Sequence, residues 1–196
     1  SRAVGDEHSY SLDSRVFQRI EADHGRFEVD LFADFSNYKV PTYVSWLSDP
    51  FAYAIDAFSI RWDIWTELYA FPPFKLTDRC LSYLDEFPDC ELSLICPFWP
   101  SQPCFPRLLQ RCVRLPLLLP SFEGLLKDRS GQPHPLIGSR SLRLVAWRLA
   151  PLSCQRKRNA FWRELSAIPP AVLTRAAGKA GYVGPSGEHA LPLIQL

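Results

Sequence analysis

A chain of 196 residues, 47% apolar and with a net charge of +1, suits one compact domain plus a tail and carries enough apolar matter for a core, which excludes a disordered chain. The longest apolar run, Leu115–Leu119 with its flanks, is far short of the roughly 20 residues of a membrane-spanning helix, and no signal peptide is read. The six cysteines form no Cys-x-x-Cys pair and have no His at ligand spacing, so no metal, no membrane partner and an intracellular setting (cytoplasm or nucleus, thiols reduced) are expected.

In chain order, residues 1–9 read as the end of a preceding segment or a linker. The chain opens Ser-Arg and holds no Met, which suggests a piece of something longer. Leu12–Ala22 predicts a helix, with Val16, Phe17 and Ile20 on one face, Asp13 near its start and Gly25 as its stop. Phe27–Ala33 alternates and predicts a strand. Asp34–Pro50 reads as loop, and Ala52–Trp62 as either strand or short helix. Glu67–Phe71 predicts a second strand, ended by Pro72-Pro73; Lys75–Phe87 a helix with Leu76, Leu81 and Leu84 inward; Glu91–Cys96 a third strand. Arg107–Arg114 reads as a short helix and Leu115–Leu119 as a fourth strand. Leu142–Leu149 receives no element. This alternation predicts an α/β domain over residues 10–150 with a largely parallel sheet. Residues 151–196 read as a basic linker (Arg156, Lys157, Arg158), a helix capped by Asn159 and running to Ile168, and an irregular tail poor in apolar pattern over 176–196.

Charge is unevenly placed. Residues 1–100 carry 17 Asp and Glu against 8 Lys and Arg, and residues 101–196 carry 4 against 14. Either the second half offers a nucleic-acid face, or the two halves attract each other. Arg156-Lys157-Arg158 is a short candidate phosphate contact. The scattered Asp30, Asp34, Asp49, Asp56 and Asp63 do not define one face at metal-pair spacing, and Ser45 and Ser101 lack the His or Gly elbow of a hydrolase.

Several motifs then follow in one order: Val29-Asp30-Leu31-Phe32-Ala33, Asn37, Tyr43-Val44-Ser45-Trp46, Asp49-Pro50, Asp56-Ala57-Phe58-Ser59, Trp62 and Tyr69-Ala70-Phe71-Pro72-Pro73-Phe74. Downstream stand Pro97-Phe98-Trp99-Pro100-Ser101-Gln102-Pro103, Leu115–Pro120, His134-Pro135-Leu136 and Leu142–Leu149. From before Asp30 to about Leu149, this order resembles the region that follows RNase H in the polyproteins of DIRS-type retrotransposons. Within it, Asp30, Ala33, Asn37, Tyr43 and the Pro-Pro-aromatic step are similar to phage-type DNA adenine-N6 (Dam) methyltransferases.

The resemblance implies a Rossmann-like, methyltransferase-type sheet, mostly parallel and flanked by short helices. It implies S-adenosylmethionine as cofactor, held by Asp30, Phe32, Ala33 and Asn37, and DNA as partner. Pro72 and Pro73 would offer carbonyl acceptors to the amine of a flipped adenine, and Phe74 would stack on the base. The parent polyprotein's reverse transcriptase, RNase H and tyrosine recombinase are the other implied partners. The chain departs from the pattern in two places. Phe71 stands where the family has Asn or Asp, and no Gly-rich loop follows the Asp30 strand. Three functions stay open: a degenerate methyltransferase-like segment that associates with nucleic acid, an active methyltransferase, and a non-catalytic structural domain.

Overall fold

The structure is a computed structural model, and it describes residues 10–137 and 142–167 together with the backbone of 181–183, 190–192 and 194–195. Asp13 caps the first helix, α1 (Ser14–His24), its carboxylate accepting from the Arg15 and Val16 N–H groups at 2.9 and 3.3 Å. Val16, Phe17 and Ile20 are buried along its inner face. Gly25 ends it with φ of 100°, a value that favours glycine, and its N–H bonds the Glu21 carbonyl at 2.9 Å.

Among the described residues, the main sheet has six strands. β2 (Val29–Asp30), β5 (Glu67–Ala70) and β6 (Glu91–Pro97) run parallel, with Asp30 opposite Tyr69 and Ala70 opposite Leu94. β9 (Leu144–Leu149) lies antiparallel on β6, β7 (Leu117–Leu118) antiparallel on β9, and β12 (Ile194–Gln195) parallel on β7. The spatial order is β12-β7-β9-β6-β5-β2. Three two-stranded ribbons stand apart: β1 (Ser11–Leu12) with β8 (Leu126–Lys127), β3 (Val44–Ser45) with β4 (Ala54–Ile55), and β10 (Gly181–Val183) with β11 (Ala190–Pro192).

The fold is therefore mixed α/β around a mixed sheet. The expected parallel arrangement is present in β2, β5 and β6 and is interrupted at β9. That strand has no visible period because all six of its residues are buried, Arg148 and Trp147 among them. A strand covered on both faces loses the alternation that marks a half-buried one.

Helices cover both faces. α2 (Thr77–Leu84), α3 (Cys104–Arg111) and α4 (Gln155–Ala167) supply Leu81, Leu84, Phe105, Leu108 and Leu165 to one core, against Leu68, Ala70, Leu92, Leu94, Val145 and Trp147. On the other face α1 packs Val16, Phe17 and Ile20 against Tyr69, Ile95 and Ala146. This in-and-out alternation along β5 and β6 assigns each side chain its layer.

Several boundaries differ from the sequence reading. α3 starts three residues early, at Cys104, because Pro106 falls in the first turn, where its missing N–H is not needed. The loop Asp34–Pro50 contains β3. The ambiguous stretch Ala52–Trp62 holds β4 and a 3₁₀ turn, Ala57–Ser59, and reaches the start of a second, Trp62–Ile64. Arg156-Lys157-Arg158 is not a linker but the first turn of α4, and Asn159 lies inside that helix instead of capping it. Ile168, expected to end the helix, lies outside the described residues, as does most of 176–196. The described parts of that tail are β10, β11 and β12.

Candidate functional site

Because β2, β5 and β6 are parallel, their carboxyl ends share one edge. Asp30 closes β2, and Phe71-Pro72-Pro73-Phe74 follows β5 directly. The two motif segments thus become neighbours: the Leu31 N–H donates to the Tyr69 carbonyl at 2.9 Å. Trp99, beyond the end of β6, meets Phe74 edge-on at 5.7 Å between ring centroids, and Phe71 packs on Phe74 at 6.3 Å. The edge of an open sheet where parallel strands end is where such folds bind ligands.

Asp30, Asn37 and the Pro73 carbonyl are already engaged at this edge, whereas the buried Tyr69 hydroxyl has no partner among the described residues. Asp30 is buried, and its two oxygens accept from backbone N–H groups, Oδ1 from Phe32 at 3.3 Å and Oδ2 from Lys39 at 3.0 Å. Burial pushes its carboxyl up to about 7, although the Lys39 and Phe32 N–H groups pull the other way. The Ala33 N–H donates to the Val44 carbonyl at 3.1 Å. Asn37 accepts from the Asp34 N–H at 2.8 Å, and Phe32 packs on Phe58 at 5.6 Å. The carbonyl of Pro73 accepts from the Leu76 N–H at 2.8 Å. Phe71 is half-buried and offers no acceptor. These side chains and amides hold the loop of residues 31–44 against the sheet. Asp30 is 2% exposed, so although each carboxylate oxygen keeps a free lone pair, a cofactor hydroxyl or amino group could reach it only if the covering loop moved, and the set does not fit S-adenosylmethionine as arranged.

Nearby, the Tyr43 hydroxyl donates to Asp49 at 2.9 Å, and burial together with that carboxylate pushes its pKa up to about 12. Tyr43 also stacks on Tyr38 at 4.9 Å.

Of the three basic residues read as phosphate contacts, Lys157 bonds Glu91 at 2.6 Å, and Arg158 donates to the carbonyls of Gln110 and Leu152 at 2.8 and 2.7 Å. Arg156 is exposed. The charge asymmetry resolves the same way. Arg107, Arg111, Arg114, Arg129, Arg148 and Lys157 from the second half pair with Asp78, Asp85, Asp23, Asp34, Glu67 and Glu91 from the first. The two halves are held together by attraction.

The opposite, amino edge of the sheet carries a cluster that sequence reasoning missed. The His24 ring lies at the end of α1, and its Nδ1 is 2.7 Å from the Ser93 hydroxyl oxygen on β6. Arg148 on β9 pairs with both Glu67 and Glu91. Burial, reinforced by Arg148 and Arg114, lowers the His24 pKa to about 3, so the ring is neutral. Burial also acts to raise the Glu91 carboxyl, but Lys157 and Arg148 outweigh it and hold it low. The signals in the sequence were Ser93 and Arg148, polar residues inside otherwise apolar runs. Among the described residues, no group of three or more His, Cys, Asp or Glu is placed to hold a metal ion. No helix among them is long and apolar enough to cross a membrane. No protein-family model matches the chain, and no curated protein matches it.

Proposed function

We propose that this chain is a segment of a DIRS-type retrotransposon polyprotein, and that its domain is a Rossmann-like relative of Dam methyltransferases that has given up methyl transfer. What supports the reading is one observation: the Asp30 and Phe71–Phe74 segments, far apart in sequence, meet at the carboxyl edge of adjacent parallel strands, while the Asp30 carboxylate and the Pro73 carbonyl take part in holding the local loops. A preorganised polar group missing from a reacting centre costs roughly a factor of 10²–10³ in rate, and Phe71 leaves such a gap. The domain's work in the element is then association with nucleic acid beside the polymerase and recombinase segments. Arg156 on α4 and Arg143 are both exposed, and the Arg143 guanidinium lies 5.7 Å from the Phe98 ring centre near the carboxyl edge.

Calorimetry with S-adenosylmethionine is expected to give no heat of binding at millimolar cofactor. Binding there, followed by methylation of adenine DNA by a Phe71→Asn variant, would instead establish a recoverable enzyme. DNA affinity should fall with salt at a log–log slope of roughly −2, the value for about two phosphate contacts. No DNA binding at low salt would leave the domain a folded spacer between its neighbours in the polyprotein.

A further inference from the structure

Between Phe35 and Ile64 the chain exposes eight of the eleven large hydrophobic side chains that the described residues leave in water. Local bonds gather them around the β3–β4 ribbon. The Asp49 carboxylate accepts from the Phe35 N–H at 3.0 Å, the Phe51 N–H at 3.0 Å and the Tyr43 hydroxyl at 2.9 Å, which draws three parts of the loop to one point. Tyr38 stacks on Tyr43, and the Tyr53 N–H donates to the Tyr43 carbonyl at 2.8 Å. Tyr53 and Ile55 flank the half-buried Ala54 and share the outer face of β4. Ser45 lies opposite Ile55, so Trp46 follows alongside.

Phe35, Tyr38, Trp46, Phe51, Tyr53 and Ile55 are each between 47% and 81% exposed, Phe51 the most. At about 200 Å² per large side chain they present roughly 700 Å² to water. That exceeds the roughly 300–600 Å² patch usual on a monomer and approaches the ~800 Å² that each partner gives to a specific interface. Charge decides what covers it. Between Val40 and Ile60 there is no Lys or Arg, and the two acids are Asp49 and Asp56. Asp49 is taken by its three donors, and Asp56 accepts from the Phe58 N–H at 3.0 Å. The cations at the rim are committed, Arg129 to Asp34, Arg61 to Asp63 and Lys39 to the Ser14 hydroxyl. A nucleic-acid strand would bring its phosphates to a surface with no cation at its centre. A basic peptide would give up hydration to reach carboxylates already engaged. An aromatic centre inside a rim of paired charge is the anatomy of a protein interface, and such a surface is its own complement. Two copies about a two-fold axis bury roughly 1,400 Å² in total, a standard-sized interface, and the contact closes at two. We propose that a second copy of this chain covers this surface in a two-fold dimer, with Phe51 as the principal contact.

Sedimentation of the full chain across the micromolar range tests this. A monomer–dimer equilibrium with a micromolar Kd is expected, and it should hold when sodium chloride is raised, because apolar contacts are not screened. Phe51→Asp puts two carboxylates at the two-fold contact and should weaken the dimer at least about tenfold, with the circular dichroism of the monomer unchanged. Tyr53→Asp is expected to do the same and decides the matter if Phe51→Asp fails to fold. A chain that stays monomeric throughout overturns the proposal, whether or not it binds an oligothymidine or a basic peptide. So does a dimer that salt dissociates, since charge would then hold it. A dimer of undiminished affinity in either folded variant overturns it too, because the contact would lie on another face. Should neither variant fold, the concentration and salt series of the unaltered chain decide alone.

Discussion

The two edges of one sheet treat their polar residues in opposite ways. At the carboxyl edge, Asp30, Asn37 and the Pro73 carbonyl take backbone N–H groups from no more than nine residues away. At the amino edge, His24 reaches Ser93 across 69 positions and Arg148 reaches Glu67 across 81. Local bonds satisfy their groups and close the surface. Long-range bonds, made where α1, three strands and α4 converge, leave two donors over. The motif-bearing strand end thus engages Asp30, Asn37 and the Pro73 carbonyl and leaves the buried Tyr69 hydroxyl unmatched among the described residues, while the edge without a motif leaves two unmatched donors, on His24 and Arg148.

The largest test of this contrast is Arg148→Met. It leaves Glu67 without its guanidinium and Glu91 with Lys157 alone. Breaking a fully buried pair costs roughly 3–5 kcal/mol, and because Glu67 is 35% exposed the loss is expected toward the lower end of that range, read from urea unfolding. A loss below about 1 kcal/mol, the size of a surface pair, would remove the distinction between the edges.

Next comes pH. The His24 pKa is about 3 in the folded chain against an ordinary 6.5. Between those values the unfolded chain takes a proton that the folded chain refuses, so stability falls as pH falls. The Asp30 pKa is about 7 against an ordinary 3.8. There the folded chain keeps a proton that the unfolded chain releases, so stability falls as pH rises. Each group contributes at most about 1.4 kcal/mol per pH unit, and in the unaltered chain they offset each other where the windows overlap, between 3.8 and 6.5. His24→Gln should unmask stability that declines with rising pH, and Asp30→Asn stability that climbs. Unfolding free energies of both variants at the two ends of that overlap check this, and slopes of the same sign would sink it.

A smaller effect is expected from Asp30→Asn above pH 7. The amide presents one acceptor oxygen to the Phe32 and Lys39 N–H groups and leaves the other without a partner, which costs about 1–3 kcal/mol. The loop of residues 31–44 should then exchange its amide protons faster than α1 does, as hydrogen exchange would report. Smallest is Lys157→Ala. Its partner Glu91 keeps Arg148, and Lys157 itself is 60% exposed, so the loss should stay under about 1 kcal/mol and shrink further in salt.

Much of the fold was legible. Asp13 near the helix start, the Val16, Phe17 and Ile20 stripe, a strand within Phe27–Ala33 and the strand ended by Pro72-Pro73 all rest on spacing within a dozen residues; the structure has each, with Asp13 as the cap and the first strand shortened to Val29–Asp30. The apolar faces of α2 and β6 were equally readable. β9 was not, because burial on both faces erases its period. α4 was placed five residues late, because Gln155-Arg156-Lys157-Arg158 looks like solvated charge until Lys157 is seen on Glu91. For the candidate site, the sequence pointed to Asp30 and Phe71–Phe74 but not to what Asp30 does. Its role depends on where the Lys39 amide lies, nine residues on, after the loop has folded back.

By itself, the sequence determined the local elements and the polarity of each face, since capping, proline punctuation and apolar spacing act over a few residues. Only the tertiary structure decided which edges face which. Strand order and register set β9 antiparallel beside β6, bring Ser93 opposite Arg148, and pair the acidic first half of the chain with the basic second. The reason is physical: a ladder's neighbours are chosen by burying apolar faces from many segments at once, and no window of sequence contains all of them.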